Sequence, residues 1–257
     1  MNKNKLITII FPSRSRINLV KKLLLSIEEK TYNKEWIEVI SICDHDDKET
    51  ISLFQEISSQ ITYDFKFVSR KQKEKLDLPN DYYDIGLKLA SDSYFTWILG
   101  NDCEITTDNW DQLFYDAINN SLPYIFSDVE KNTKFYYFKI SDDTHWNKNI
   151  KLLDSEVDNS CCFPILSSNY CKTLGEFYPK EIPTWGGDTA LYDLCDKSNI
   201  TNIINASDII EIKHYCHHNN RVEQDVISKK IENQHDKNYY SVIVNKIFKS
   251  REKFLWN

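Results

Sequence analysis

Glycine and proline are scarce in this sequence, with five glycines and six prolines among 257 residues. Flexible and extended linkers are rich in these residues, so we expect no long linker. No apolar run approaches the roughly 18 residues that a membrane-spanning helix needs. The apolar run near the N-terminus is short and ends at Pro12, which is not the pattern of a signal peptide. These absences predict a globular chain without a transmembrane segment.

The cysteines form no metal-binding or disulfide pattern. Seven are present, an odd number, and no two have the CxxC spacing. Dispersed cysteines of this kind are typical of free thiols in a reducing compartment. We therefore expect a cytoplasmic protein.

The charge balance is acidic, with 39 Asp and Glu against 32 Lys and Arg and a net charge of −7. This balance argues against a protein whose main task is to bind a nucleic-acid backbone. Hydrophobic residues make up 41% of the chain and aromatic residues 13%, which is enough for a sizeable core. The length suits one large α/β domain or two small ones.

Strand-like and helix-like segments alternate in the first half of the chain. Short apolar runs predict strands, and apolar residues at helical spacing predict helices. The predicted strands are Leu6–Phe11, Trp36–Cys43, Phe65–Val68 and Tyr94–Leu99, and the predicted helices are Ile17–Glu29, Ile51–Ile61 and Pro79–Ala90, the last capped by Asn80 or Asp81. Such alternation predicts a mostly parallel sheet with helices on both faces.

The second half is less regular. We predict a helix over Asp108–Asn120, strands over Pro123–Ser127, Lys134–Ile140 and Cys161–Ser167, a helix over Asn169–Leu174 that ends at Gly175, and a strand at Ile209–Lys213. Residues 141–158 are polar and predict a surface loop. The expected organisation is a single domain with a first half (1–115), a second half (116–220) and a helical end (221–257). The amphipathic end is expected to pack on the domain, with contact to a membrane surface as the alternative.

The strand Tyr94–Leu99 runs directly into acidic residues. Asp102 and Glu104 flank Cys103, and side chains two apart on an extended chain point to the same side. Two carboxylates on one side suit Mg²⁺ or Mn²⁺ that carries a phosphate. The alternative is a polar turn without a ligand.

Three polar clusters follow strands of the predicted sheet. They are Ser13, Arg14 and Arg16 after the first strand, Asp44, Asp46 and Asp47 after the second, and Asp102 with Glu104 after the Tyr94 strand. Ligands of open α/β sheets bind at the carboxyl edge, where these clusters meet. Asp44 can accept hydrogen bonds from a base or ribose, and the arginines and the first helix's N-terminus can meet phosphate. The clusters predict a nucleotide site, against the alternative of solvated loops.

The order of these motifs resembles a known family. Leu6–Arg16, the strand Ile40–Asp47, and Ala90–Glu104 followed by Trp110 and Asp111 are similar to the first half of family 2-type glycosyltransferases of the GT-A fold. Their pattern is an apolar strand, Pro-Ser/Thr-x-x-Arg, a helix, a strand that ends in aspartate, and a strand into an Asp-x-Asp metal motif.

The sequence departs from the family at the metal motif. Asn101 stands where many members have aspartate, and Glu104 replaces the second aspartate of Asp-x-Asp. The resemblance therefore makes Asp102 the first candidate metal ligand and Glu104 a less secure one. A late histidine often completes the metal site of such enzymes, which indicates His214, with His217 second. The alternative is that these histidines lie on the surface near a strand end.

The resemblance also implies a catalytic base. In Pro183–Tyr192, two glycines precede Asp188 at the predicted start of a helix. An acidic residue at this place lies near the sugar in the family and acts as general base, and the neighbouring Trp185 is suited to stack on a sugar face. The alternative role for Asp188 is a helix N-cap alone.

Together these residues imply a metal-dependent and inverting glycosyltransferase with a nucleotide diphosphate sugar donor, most simply a UDP-sugar, and a carbohydrate or other hydroxyl acceptor. The implied cofactor is Mn²⁺ or Mg²⁺. The first half (1–115) is then the nucleotide-sugar-binding half, and the second (116–220) is the acceptor and catalytic half. The implied nucleotide-binding residues are Pro12, Ser13, Arg14, Arg16, Asp44, Asp47, Asn101 and Asp102, and the implied metal ligands are Asp102, Glu104 and His214.

Two other functions fit the same sequence pattern. One is a sugar-nucleotide-binding module without turnover, which the asparagine at position 101 makes plausible. The other is a nucleotidyltransferase, which uses a similar sheet. Nucleotidyltransferases usually have a glycine-rich loop after the first strand, and Pro12–Arg16 contains no glycine.

Overall fold

The computed structural model describes residues 5–71, 77–131, 133–142, 161–182, 187–215, 246, 247 and 249–251. These residues form a seven-stranded, mostly parallel sheet with flanking helices and a separate three-stranded sheet. The predicted α/β class with a smaller mixed region is confirmed. Among the described residues, no helix combines the length and the apolar character needed to cross a bilayer.

The first half alternates strands and helices as expected. Its elements are β1 (Lys5–Ser13), α1 (Ile17–Lys30), a 3₁₀ turn (Lys34–Trp36), β2 (Ile37–Asp44), α2 (Lys48–Ile57), β3 (Asp64–Arg70), a π-helical turn (Pro79–Tyr83), α3 (Asp84–Leu89) and β4 (Ser93–Ile98). β1 extends through Pro12 and Ser13, which the sequence pattern placed in the following loop. Pro12 and Ser13 pair with Ile42 and Cys43 of β2, beyond the point where the pairing of β1 with β4 ends.

The strand order creates a crevice beside β1. The large sheet runs β3-β2-β1-β4-β8-β6-β9. β1 pairs in parallel with β2 on one side and with β4 on the other. The chain therefore builds outward from β1 to β3 and then crosses back to β4. Ligands of open α/β sheets bind at such a switch point, outside the carboxyl ends of the strands.

The second half adds shorter elements. They are β5 (Cys103–Ile105), α4 (Trp110–Ser121), α5 (Ile125–Glu130), β6 (Phe135–Lys139), β7 (Ser141–Asp142), β8 (Ile165–Ser167), α6 (Ser168–Leu174), α7 (Gly187–Lys197), β9 (Thr201–Asn205) and β10 (Glu211–His214). β8 is antiparallel to β4 and β6. The small sheet has the order β5-β10-β7.

The core is formed mainly by β1, β2 and β4 and the aromatic residues around them. Every residue of β2 is buried, including the polar residues Glu38, Ser41 and Asp44, as expected for a strand that is covered on both faces of the sheet. Phe95 lies 5.4 Å from Phe114 and 5.5 Å from Phe138, in edge-to-face contacts between ring centroids. These contacts join β4, the strand that precedes Asp102, to α4 and β6.

Two predicted strands differ from the observed elements. Pro123–Ser127 was predicted as a strand, which is wrong, because a helix begins at Ile125. Its Phe126 stacks on Tyr115 of α4 with ring centroids 5.5 Å apart. A short apolar run does not distinguish a strand from a buried helix. The predicted strand over Cys161–Ser167 is reduced to its last three residues.

The predicted helix at Pro79 has a different start. Asp77 accepts a hydrogen bond from the Asn80 backbone N–H at 3.1 Å, and its own carbonyl accepts one from the Asp81 N–H at 2.8 Å. The capping side chain is thus Asp77, and neither Asn80 nor Asp81 has that role. Likewise, α2 begins at Lys48, earlier than predicted, because Asp47 caps it by accepting from the Thr50 N–H at 3.2 Å.

Several sequence-based expectations lie outside the described residues. They concern the loop at 143–158, Trp185, His217 and most of the C-terminal segment 221–257. The division of the chain at residues 115 and 220 also stays a prediction.

Substitution of Gly86 tests how closely α3 packs on the sheet. An added Cβ would lie 2.5 Å from Ile10 Cγ2 and 3.0 Å from Ile42 Cδ1. Gly86→Ala should therefore lower the free energy of unfolding by about 1–3 kcal/mol, the usual cost of overpacking, despite the better helix propensity of alanine. Urea denaturation measures this. The exposed neighbour Lys88 is the control, since Lys88→Ala should stay within about 0.5 kcal/mol of wild type; equal stability of both variants would contradict the close packing.

Candidate active site

The polar clusters that follow β1, β2 and β4 meet at the carboxyl edge of the sheet. Arg14 joins the first two clusters, since its guanidinium donates to Asp44 at 2.8 Å and to Asp46 at 3.0 Å. The hydrogen bond from Arg14 holds the pKa of the Asp46 carboxyl below its usual value. Asp44 is completely buried, whereas Asp46 is exposed.

Asp44 lies in a closed network of donors. Its Oδ2 accepts from Arg14, and its Oδ1 accepts from the Tyr82 hydroxyl at 2.8 Å. Burial raises the pKa of Tyr82, and the charge of Asp44 raises it further, so this hydroxyl stays a donor. A ligand donor can therefore bond to Asp44 only by sharing its oxygens with Arg14 and Tyr82. Access to Asp44 is controlled mainly by Arg14, which is the more exposed partner.

The turn between β1 and α1 has an unusual backbone. Ser15 and Arg16 have positive φ angles of 57° and 60°, which residues other than glycine rarely adopt. The turn is held by Asp47, which accepts from the Ser15 backbone N–H at 2.6 Å. Strained backbone of this kind is concentrated at functional sites. Nearby, the Ser13 side chain is buried and its Oγ has no hydrogen-bond partner among the described residues.

Asp102 is the centre of the third cluster. It is 6% exposed, and its Oδ2 accepts from Arg16 at 2.9 Å while its Oδ1 lies 3.3 Å from His214 Nε2. The carboxylate folds back over Gly100, where an added Cβ would lie 2.4 Å from Oδ1. Glycine at this position is thus required for the observed side-chain direction of Asp102.

The small sheet brings His214 to Asp102 across more than 100 residues of sequence. β10 pairs antiparallel with β5, with His214 opposite Cys103 and Lys213 opposite Glu104. The next backbone N–H, that of Tyr215, donates to the Asp102 carbonyl at 2.9 Å. The Phe163 ring contacts the imidazole edge-on at 5.0 Å between centroids, which fixes the orientation of His214.

Three potential metal ligands converge here. One ligand atom each of Asp102, Cys103 and His214 lies within 4.8 Å of the others. Glu104 is not in this group. Opposite residues of an antiparallel ladder share a face and successive residues alternate, so Cys103 and His214 lie on one face and Glu104 on the other. Asp102 and Glu104 do not point to the same side, because Asp102 lies in the turn before β5.

Asp188 is half-buried and lies in the first turn of α7. The helix begins at Gly187, so Asp188 is its second residue and the expectation that it forms the N-cap is wrong. Its carboxylate is hydrogen-bonded to Cys162, whose pKa is raised well above its usual value by burial and then by the charge of Asp188. The pKa of Tyr83 is raised by burial and by the charges of both Asp188 and Asp102. Asp188 and Asp102 therefore both lie close enough to this buried tyrosine for their charges to act on it.

No protein-family model matches the sequence, and no curated protein does. Solved structures are nevertheless similar in fold. S. aureus TarS 1–349 matches with a TM-score of 0.54 and 14% identity over 80% of this chain and 60% of that chain. The complex of TarS 1–349 with UDP-GlcNAc matches with a TM-score of 0.55 and 13% identity over 97% of this chain and 73% of that chain.

A mannosyltransferase, PcManGT from Pyrobaculum calidifontis in complex with GDP-Man and Mn²⁺, matches with a TM-score of 0.57 and 11% identity. The alignment covers 96% of this chain and 70% of that chain. Both neighbours are GT-A-type glycosyltransferases. This chain has the GT-A fold. At such low identity the likeness establishes the fold alone, and the first TarS alignment spans only 60% of that structure.

Sequence reasoning missed two residues at the edge of this GT-A sheet. Arg70 is the last residue of β3, and its guanidinium lies over the Tyr82 ring at 4.5 Å and 4.0 Å from Asp44. A basic residue directly after an apolar strand was the available signal. Tyr82 had no comparable signal, since its position depends on the π-helical turn.

Other carboxylates are occupied elsewhere. Glu181 accepts a two-pronged bond from Arg251 at 2.9 Å for each contact. Asp111, which follows Trp110 in the motif that resembles the family, is buried and accepts from the backbone N–H groups of Tyr32 and Asn33. Its role in the described structure is to hold the turn after α1.

The contact between Asp188 and Cys162 predicts a change in thiol reactivity. The thiolate is the reactive form, and the negative charge of Asp188 disfavours it. Asp188→Asn should therefore lower the pKa of Cys162 and increase its rate of alkylation by iodoacetamide at pH 8 several-fold. Mass spectrometry of the peptide that contains Cys161 and Cys162 measures the rate. Asp196→Asn, an exposed change on the same helix, is the control, and equal rates in both variants would contradict the contact.

Proposed function

We propose that this chain is a glycosyltransferase that moves a sugar from a nucleotide diphosphate sugar, a UDP-sugar in the simplest case, to an acceptor hydroxyl with inversion at the anomeric carbon. The observation that carries the proposal is the contact between Asp102 and His214 at the switch point of a GT-A sheet. The fold is shared with TarS bound to UDP-GlcNAc and with a mannosyltransferase bound to GDP-Man and Mn²⁺.

The donor's phosphates are assigned to the turn between β1 and α1. Arg16 occupies the N-cap position of α1, no side chain in the described part of the chain caps this helix, and its first turn contains no acidic residue. The free N–H groups and the helix dipole favour an anion there. The nucleoside is assigned to the network of Arg14, Asp44, Arg70 and Tyr82. There the Asp44 carboxylate accepts a hydrogen bond from a base or ribose, and the Arg14 side chain moves aside to admit the ligand.

The residues around Asp102 fit a divalent cation. A carboxylate oxygen and an imidazole nitrogen 3.3 Å apart form a donor pair that suits Mn²⁺, whereas Mg²⁺ would use the carboxylate alone, and both side chains are largely buried. Asp102 and His214 would hold the ion, whereas Glu104 lies on the opposite face of β5. When bound with the donor, such an ion neutralises the diphosphate and stabilises charge on the leaving group.

Arg16 couples the nucleotide to this site. Arg16 donates a hydrogen bond to Asp102 Oδ2 in the structure. One of the two carboxylate oxygens that could bind the metal ion is therefore paired with a guanidinium of the protein. A diphosphate offers Arg16 another anionic partner and releases that oxygen. Nucleotide and metal should therefore bind with positive coupling, since each favours the same position of Arg16.

Asp188 is assigned the role of general base. It would take the proton of the acceptor hydroxyl as the hydroxyl oxygen attacks the anomeric carbon. The bond from that carbon to the diphosphate breaks, and the nucleoside diphosphate leaves with the electron pair. The nearby Tyr83 and Tyr178, both buried, keep water away from one side of the carboxylate, and the Cys162 thiol holds it by a hydrogen bond.

A matched pair of variants tests the division between the phosphate and nucleoside sites. Asp102→Ala should abolish the gain in UDP affinity that Mn²⁺ provides, because the diphosphate loses its counter-charge, and should leave uridine affinity unchanged. Asp44→Asn should weaken uridine and UDP by the same factor. Calorimetry with and without Mn²⁺ measures both ligands. For each variant, the loss of UDP affinity is divided by the loss of uridine affinity. If this ratio is the same for both variants, the assignment is incorrect.

Asp188→Asn separates an enzyme from a binding module. Proton removal by a positioned carboxylate contributes about 10²- to 10⁴-fold in rate, so transfer to acceptor should fall by that order while UDP-sugar affinity and thermal stability are kept. Initial-rate assays with calorimetry and thermal unfolding measure the three quantities. Asp196→Asn is the control on the same helix. Transfer near the wild-type rate would move the base elsewhere, with Asp193 the next carboxylate because Glu181 is bound to Arg251.

A further inference from the structure

Glu104, Tyr215 and Lys22 form a contact that the proposed reaction does not yet use. The Tyr215 hydroxyl donates to Glu104 Oε2. Lys22 Nζ donates to the same hydroxyl oxygen at 3.0 Å and lies 3.8 Å from Glu104 Oε2. The three side chains come from α1, β5 and the end of β10, so this triad connects three elements at one point.

The ring of Tyr215 is also fixed by charge. Lys22 Nζ lies 4.6 Å from its centroid, and Lys213 Nζ lies 4.9 Å from it. Cations near an aromatic face are attracted to it by the charge distribution of the ring. The position of Tyr215 is therefore set by its hydroxyl bonds and by two ammonium groups together.

Tyr215 is adjacent to His214 and anchors it from the C-terminal side. The Tyr215 backbone N–H donates to the Asp102 carbonyl at 2.9 Å, and His214 lies opposite Cys103 in the ladder. β10 ends at His214, and Tyr215 is the only residue after it in this stretch that the structure describes. The triad is the next fixed point after the ladder.

We propose that Glu104 and Tyr215 are positioning residues for the metal site: Glu104 holds the Tyr215 hydroxyl, and Tyr215 holds His214 against Asp102. This inference rests on the proposed metal-dependent function and assigns Glu104 a role other than metal ligand. Groups that orient a metal ligand from behind usually change metal affinity by about 10- to 100-fold when they are removed.

The two roles for Glu104 predict different mutant patterns. If Glu104 positions Tyr215, then Tyr215→Phe and Glu104→Ala should each weaken Mn²⁺ binding about 10-fold, and the double variant should be no weaker than either. Glu104→Gln keeps an acceptor for the hydroxyl and should stay within roughly twofold of wild type, because the hydrogen bond that holds Tyr215 is retained.

The experiment titrates Mn²⁺ into the full chain with UDP present and follows free Mn²⁺ by electron paramagnetic resonance. Tyr124→Phe is the control, because Tyr124 is 75% exposed and should have no effect. Thermal unfolding of each variant excludes a general loss of structure. The expected result is that Tyr215→Phe and Glu104→Ala each lower Mn²⁺ affinity, that the two losses do not add in the double variant, and that Glu104→Gln keeps near-wild-type affinity.

Two results would overturn the inference while leaving the proposed function intact. In the first, the wild-type chain binds Mn²⁺, Glu104→Gln binds it as weakly as Glu104→Ala, and Tyr215→Phe binds it normally. This pattern would make Glu104 a direct ligand. The other is wild-type affinity in all variants. A wild-type chain that binds no Mn²⁺ with UDP would overturn the metal-dependent function itself and this inference with it.

Discussion

The pairing of β10 with β5 is the constraint on which the candidate site depends. It places His214 opposite Cys103 and 3.3 Å from the carboxylate of Asp102. Without this ladder, Asp102 would be one acidic residue after a strand, with Arg16 as its charged partner. The ladder is short, so the site relies on neighbouring contacts as well. Phe163 orients the imidazole, Gly100 lets the carboxylate fold back, and the Tyr215 backbone N–H bonds to Asp102.

The site is highly charged, and its charges are arranged in pairs. Arg14 lies between Asp44 and Asp46, and Arg16 bonds to Asp102. Buried carboxylates are costly unless they are paired and hydrogen-bonded. A bound nucleotide diphosphate would have to exchange these internal partners for its own groups. The positive φ angles at Ser15 and Arg16 place Arg16 on a strained turn. Asp47 holds this turn by accepting a hydrogen bond from the Ser15 N–H.

The candidate base belongs to a different environment. Asp188 lies near buried tyrosines and the Cys162 thiol, and its charge acts on Tyr83 as that of Asp102 does. The two carboxylates thus have different surroundings: Asp102 lies beside cationic side chains, and Asp188 lies near tyrosines and a thiol. Separate surroundings allow two carboxylates to take different roles in one reaction, and they agree with a division between donor activation and proton removal.

The sequence by itself determined the α/β class, the order of strands and helices in the first half, and the meeting of Arg14, Arg16, Asp44 and Asp102 at one edge. These follow from apolar periodicity and from the rule that ligands bind at the carboxyl ends of parallel strands. Only the tertiary structure decided that Pro123–Ser127 leads into a helix, that Asp188 follows the helix start, and that Arg70 and Tyr82 surround Asp44. It also decided that Glu104 faces Tyr215 while Asp102 faces His214. The physical reason is that local alternation fixes a side chain's direction only inside a strand, whereas Asp102 lies in a turn whose geometry depends on residues more than 100 positions away.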